Sequence, residues 1–291
     1  MTASRRRFLA LAAAFAGVPA TARAHVWRGR ALGAEVSLTL RGPRSLVAPA
    51  MAETHRLLAE IEALFSLYDP DSALSRLNRE GQMADPDPRF LTLMHVADRA
   101  HALTGGLFDP TVQPLWRARA EGGDTGEAMA RIGWHRVGFD ARRIVLGRGQ
   151  ALTFNGIAQG YATDIVTESL AARGARDMLV NIGEHRAVGG PWRLGLDDPA
   201  QGSLGTRTLH DGAIATSSPG AMRVGAGPHI LHPTARPLWS SVSVEAPTAT
   251  LADSLSTALT LAPRKRIEAI KGRAALGRVT LVDTDGDLTT V

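Results

Sequence analysis

Apolar and other residues alternate through Leu32, Ala34, Val36, Leu38 and Leu40, a period of two that predicts a half-buried strand. The period then lengthens. Leu57, Leu58, Ile61, Leu64 and Phe65 recur at helical spacing and form one apolar face. That helix has to end before Tyr68-Asp69-Pro70, because the residue ahead of a proline avoids helical geometry. A second helix is predicted over residues 89–103, closed by Gly105-Gly106, and residues 120–149, rich in Gly and Arg, read as loops around short strands. From Leu152 the pattern sharpens into a short strand, a glycine-bearing turn at residues 155–160, a helix to about Arg173 stopped by Gly174, and a strand over Met178–Ile182. Further strands are predicted at 192–196, 213–216 and 242–244, a helix at 251–261, and a terminal hairpin of 279–282 and 288–291 around Asp285-Gly286. Strands outnumber helices without regular alternation. The expected fold class is therefore α+β: one domain on a mixed, largely antiparallel sheet with packed helices.

The N-terminus follows different rules. Ser4-Arg5-Arg6-Arg7-Phe8-Leu9 is a twin-arginine pattern, an apolar run from Phe8 to Ala16 follows, and Ala22-Arg23-Ala24 offers a small-x-small cleavage site. The run is shorter than the roughly 20 apolar residues that a spanning helix needs. Residues 1–24 are thus expected to be a cleaved signal peptide, leaving a domain of 25–291 exported to the periplasm by the twin-arginine route. This changes the reading of charge. The formal net charge is +5, but four of the arginines lie in the leader, and without them 29 basic residues face 28 acidic ones. A nearly neutral remainder has no electrostatic footprint for nucleic acid. The chain has no cysteine, which excludes a disulfide, a zinc-thiolate site and a lipid-attachment cysteine.

Several residues could carry chemistry. Asp253 and Thr257 are four apart, so a helix places them on one face, where carboxylate and hydroxyl offer hard oxygen ligands suited to Mg²⁺. The same spacing also fits a helix cap at Asp253 and a threonine bonded back to a carbonyl. Asn155-Gly156-Ile157-Ala158-Gln159-Gly160 lets backbone approach a ligand closely and opens a helix whose first N–H groups could face an anion. It is neither a dinucleotide fingerprint nor a Walker loop. His229 could serve as a general base, although it and His232 equally fit half-buried loop histidines. Thr216, Ser217 and Ser218 read as an anion contact or a turn. The nucleophile elbow GxSxG is absent, so serine-hydrolase chemistry has no support.

Six blocks in order, RALGAEVSL, LYDPDSALSRLN, TGGLFDPTV, NGIAQGYATD with its NIGE strand, AIATS, and SVSVEAPTATLADSLSTAL, resemble the ApbE family of FAD:protein FMN transferases over residues 30–282. The resemblance implies Mg²⁺ held by Asp253, Thr257 and the backbone carbonyl of Gly156. It implies contacts to FAD, the substrate, at Leu32, Tyr68, Leu107, Phe108, Asp109, Gln159 and the backbone of Leu231. It also implies that His229 assists deprotonation of an acceptor hydroxyl. FMN would pass from FAD to a Thr or Ser of a partner protein, releasing AMP, and the nucleophile would belong to that partner. Three departures stand out: Thr153 where the family usually has Asp, Gln159 where Lys or Glu is common, and residues 230–236, where His232 and Arg236 replace the aspartate and glycine of I-x-D-P-x-T-G. The NGIAQG spelling, the GE of NIGEHRA and the twin-arginine leader are similar to the NosX-like branch accessory to nitrous-oxide reduction. That branch implies an acceptor flavoprotein, the periplasmic domain of a membrane protein that supports nitrous-oxide reductase. An FAD pyrophosphatase and a non-catalytic periplasmic flavin carrier remain open alternatives.

Overall fold

In the computed structural model, which describes residues 24–291, the alternation around Val36 becomes one strand of a sheet fed from most of the chain. The predicted signal peptide lies outside the described residues except for Ala24, the first residue of β1. The strands are β1 (Ala24–Ala31), β2 (Ala34–Arg41), β3 (Gln82–Ala84), β4 (Gly138–Phe139), β5 (Arg143–Val145), β6 (Met178–Ile182), β7 (His185–Val188) and β8 (Trp192–Asp198). They continue as β9 (Gly202–Leu209), β10 (Gly212–Ser217), β11 (Arg223–Val224), β12 (Gly227–Pro228), β13 (Ser241–Ala246), β14 (Val279–Val282) and β15 (Leu288–Thr290). The helices are α1 (Val47–Phe65), α2 (Ala73–Glu80), α3 (Pro88–Thr104), α4 (Gln113–Glu121), α5 (Thr125–Ala130), α6 (Ala158–Ala172), α7 (Ala249–Leu259) and α8 (Arg264–Ala274).

The main sheet has the order β1-β2-β6-β7-β10-β13-β14-β15, and each neighbouring pair is antiparallel. The α+β class is as expected, and this sheet is antiparallel throughout. Its alternation separates two cores. Val36, Leu38, Val180, Ile182 and Val244 face the helices, where Leu57, Ile61, Phe65, Phe90, Leu93 and Leu255 complete the larger core. Phe65, Phe90 and Phe154 form its centre, with ring centroids 5.1 to 5.7 Å apart and mostly edge-to-face, the arrangement aromatic quadrupoles favour. Leu179, Ala187 and Ile214 belong to a smaller core with Trp192, Leu194, Leu196 and Leu209 of the β8–β9 ribbon.

Two differences from the sequence reading have clear causes. Leu152 is fully buried but forms no strand; its N–H and C=O are satisfied by the side-chain amide of Asn78, at 2.6 and 2.8 Å. The next residue, Thr153, donates its N–H to the carbonyl of Pro110 at 2.9 Å. A buried backbone segment can thus be held extended without a ladder partner. Several elements went unforeseen, among them β1, α2, α4 and α8. Each exposes most of its surface: α8 buries only Ile267 and Ile270, and β1, at the sheet edge, buries only Ala31.

The helices α6 and α7 approach each other at Gly160. A Cβ built there would lie 2.3 Å from the carbonyl oxygen of Ala249 and 2.8 Å from Cβ of Asp253, so no side chain fits. Alanine ordinarily favours a helix interior over glycine by about 1 kcal/mol. Here the sign should reverse: Gly160→Ala is expected to lower stability by about 1–3 kcal/mol, read as a reduced denaturant midpoint with an unchanged slope.

Candidate functional site

Helix α7 is fixed at its start. Thr248 caps it by accepting the N–H of Leu251 at 3.3 Å. Asp164, from α6, accepts the N–H groups of Ala249 and Thr250, each at 2.8 Å, together with the Thr250 hydroxyl. A carboxylate at a helix N-terminus meets unpaired donors and the positive end of the helix dipole. Arg186 on β7 balances that charge, with Nη1 2.7 Å from Asp164 and 2.9 Å from Glu168.

This anchoring sets the direction of Asp253. It is not the helix cap; it sits beyond the first turn, 4% exposed, with Oδ2 accepting the N–H of Gly160 at 2.9 Å. One turn later Thr257 Oγ1 stands 3.2 Å from Ser217 Oγ, which also meets Ser256 Oγ at 2.8 Å. Gly156 closes against the same side chain: a Cβ there would come within 3.0 Å of Thr257 Oγ1. The fold thus brings Asp253, Thr257 and the Gly156 turn together where β10 ends against α7. Glu184, in the turn between β6 and β7, is a second buried carboxylate; its Oε2 accepts the N–H of Thr216 at 3.2 Å. Burial pushes the Asp253 carboxyl up to about 7, and burial followed by the Asp253 charge holds Glu184 well above the usual carboxylate range. No Lys, Arg or His side chain pairs with either among the described residues. Hard oxygen donors around uncompensated buried negative charge fit a divalent cation such as Mg²⁺.

The residues assigned to flavin lie on loops and, for Gln159, on the first turn of α6. Leu32, at φ 49° in the β1–β2 turn, donates its N–H to Glu62 at 2.7 Å, and its carbonyl accepts from Gln159 at 3.4 Å. Gln159 in turn lies across Gly183, where a Cβ would come within 2.6 Å of its amide. Leu107 and Phe108 are largely core residues, 8% and 5% exposed, so their exposed atoms are few. Asp109 uses Oδ1 to accept the N–H and hydroxyl of Thr111, at 2.8 and 2.6 Å, which fixes the loop. Tyr68, by contrast, is 66% exposed on the turn after α1.

His229 is tethered to the turn that follows β10. Its Nδ1 faces the carbonyls of Pro219 and Met222 at 3.1 and 3.3 Å, so Nδ1 carries the proton and the lone pair resides on Nε2. That is the tautomer a general base requires. Leu231, half-buried, leads to His232. There Nδ1 accepts the N–H groups of Ala235 and Thr234 at 2.9 and 3.2 Å, while Nε2–H donates to the carbonyl of Gly106 at 3.2 Å. A neutral imidazole therefore closes the turn as a carboxylate would, and also joins this loop to the one bearing Leu107. Thr153 does the same on a smaller scale, its hydroxyl accepting the N–H of Asn155 at 3.2 Å.

Asp164, Arg186 and Glu184 escaped the sequence reading. Asp164 and Glu184 end the NGIAQGYATD and NIGE blocks, and the available signal was a carboxylate among residues otherwise destined for burial.

Comparison with known proteins agrees with this architecture. The profile of the ApbE family matches residues 32–276. The curated FAD:protein FMN transferase of Haemophilus influenzae is 27% identical over 278 residues, spanning 82% of this chain and 80% of that protein. The one of Rhodobacter capsulatus is 30% identical over 233 residues, spanning 69% and 44%. Among solved structures, the flavin transferase ApbE from Vibrio cholerae superposes with a TM-score of 0.82 at 25% identity, covering 93% of this chain and 97% of that one.

Two outcomes test the local geometry. Burial holds His232 below its ordinary 6.5, with Asp109 favouring its charged form and Arg266 and His101 opposing it. A folded value depressed below the unfolded one means that stability is complete above about pH 6.5 and falls as the pH drops from there to the folded value, because the unfolded chain takes up the proton first. The urea midpoint should decline below pH 6.5, and His232→Asn, which keeps an acceptor for the turn, should flatten that decline. Asp164→Asn should cost about 3 kcal/mol in equilibrium unfolding, because Arg186 loses its buried partner and keeps only the exposed Glu168, and the start of α7 loses its anion.

Proposed function

The chain belongs to the ApbE family, and on that premise we propose that it transfers the FMN portion of FAD to a Thr or Ser hydroxyl of a partner protein, releasing AMP. The observation that carries this reading is the meeting of Asp253, Thr257 and Gly156 around buried negative charge with no cationic partner among the described residues. The names of the relatives, FAD:protein FMN transferases, support flavin transfer to protein.

Mg²⁺ held by Asp253, Thr257 and the Gly156 carbonyl would neutralise the pyrophosphate and stabilise charge that develops on the leaving oxygen. The remaining work falls to the chain. The backbone of Leu32, held by Glu62 and Gln159, and the loop of Leu107, Phe108 and Asp109 orient FAD, with Tyr68 on the exposed rim. The Leu231 backbone lies on the loop that His232 ties to Gly106. His229 Nε2 accepts the proton as the acceptor oxygen bonds to the FMN-side phosphorus; the phosphoanhydride bond breaks in line and AMP leaves with the electron pair. No side chain of this protein needs to become a nucleophile.

The twin-arginine pattern supports a periplasmic site of action. The NosX-like spelling supports an acceptor among the periplasmic domains of flavin-bearing membrane proteins that serve nitrous-oxide reductase.

Mass spectrometry of such a domain co-expressed with this chain should show an FMN adduct on Thr or Ser. Asp253→Ala should reduce its formation at least about 100-fold, and His229→Ala by about 10²- to 10⁴-fold. Full-rate labelling by the Asp253 variant would sink the cation assignment. Rapid AMP release from FAD without an acceptor would indicate hydrolysis instead.

A further inference from the structure

Glu184 takes no part in the reaction as written, yet the fold holds it in place from two sides. Its backbone carbonyl accepts the hydroxyl of Thr163 at 3.1 Å, and its Oε2 accepts the N–H of Thr216 at 3.2 Å. Both anchors adjoin the centre. Thr163 lies one helical turn beyond Gly160, whose N–H is bound by Asp253, and Thr216 precedes Ser217, whose hydroxyl meets Thr257. Gln159 lies over the neighbouring Gly183. Glu184 is 7% exposed, set against the same α6 and β10 segments that border Asp253 and Thr257. The arginine next to it in sequence, Arg186, is engaged with Asp164 and Glu168.

Two buried carboxylates with no countercharge among the described residues are a costly pairing for a fold to retain. A divalent cation turns that cost into affinity. With Asp253 alone, a bound Mg²⁺ leaves one positive charge uncompensated; with Glu184 beside it, protein and ion are neutral together. We propose that Glu184 supplies the second negative charge of the cation site, keeping Mg²⁺ on the protein when the pyrophosphate has departed. This rests on the cation reading given above. Glu184 is a positioning residue here: it acts on the ion and through it, without contact to the flavin.

The test is a series of circular-dichroism melts of the full chain, freed of metal and of flavin, as Mg²⁺ is titrated in. The wild type should gain stability with Mg²⁺, and Glu184→Gln should need at least about tenfold more Mg²⁺ for half the gain, as expected for a residue that supports a metal site. Glu184→Asp, which keeps the charge, should fall between the two. Without metal, Glu184→Gln should melt no lower than the wild type, since glutamine still accepts from Thr216 and the repulsion is gone. Equal Mg²⁺ midpoints for the wild type and Glu184→Gln, with Asp253→Asn impaired, would overturn the role of Glu184 and leave the cation site standing. A metal-free Glu184→Gln protein that melts well below the wild type would overturn it in favour of a purely structural role. If Asp253→Asn also matches the wild type, the cation reading itself fails, and the proposal with it.

Discussion

The site depends on one contact, the packing of α6 against α7 at Gly160. With no Cβ at that position, the Ala249 carbonyl and the Asp253 side chain can reach the α6 backbone, and Asp253 can bind the Gly160 N–H. The same helix sends Asp164 forward to the first amides of α7. One helix therefore both starts its neighbour and aims the neighbour's carboxylate. Asp253 then stands opposite the turn that leads into α6, so Gly156 and Thr257 meet without any long loop having to order itself. Preorganisation of this kind spares a site the entropy of assembling its ligands during each turnover.

Much of this framework was legible in the sequence. The 3.6 period of Leu57, Leu58, Ile61, Leu64 and Phe65 marks the buried face of α1, and Met178–Ile182 is a strand with the limits its apolar run suggests. The spacing of Asp253 and Thr257 correctly put them on one helical face. It could not say what that face met, and on spacing alone a helix cap is the favoured reading; the tertiary approach of α6 decides against it. Elements with weak apolar signatures stayed hidden. Ser72 and Gly81 delimit α2, but its eight residues carry too few apolar positions to establish a period. β1 is an edge strand, with one neighbour and little burial to impose alternation.

The departures from the family spelling are a separate lesson. Letters differ at Thr153 and His232, but both side chains present an acceptor to backbone N–H groups two or three residues ahead. The physical requirement at such turns is a lone pair in the right place. A hydroxyl or a neutral imidazole meets it as well as a carboxylate, with less local negative charge. At His232 the substitution also adds a donor, and that donor binds the loop of Gly106. A change that looks like loss of a motif thus leaves the loop with one more tie.

The contacts that define the site are remote along the chain. Leu32 and Gln159 are 127 positions apart, and Gly160 and Asp253 are 93 apart. Such pairings close late in folding, because each demands the loop entropy of a long intervening segment. On the ribosome, a growing chain cannot complete the centre until α7 has emerged and docked, when little more than the final helix and hairpin is still to come. Nascent and truncated forms therefore carry the sequence blocks of the family without its working centre. The ability to handle flavin arrives all at once, near the end of synthesis.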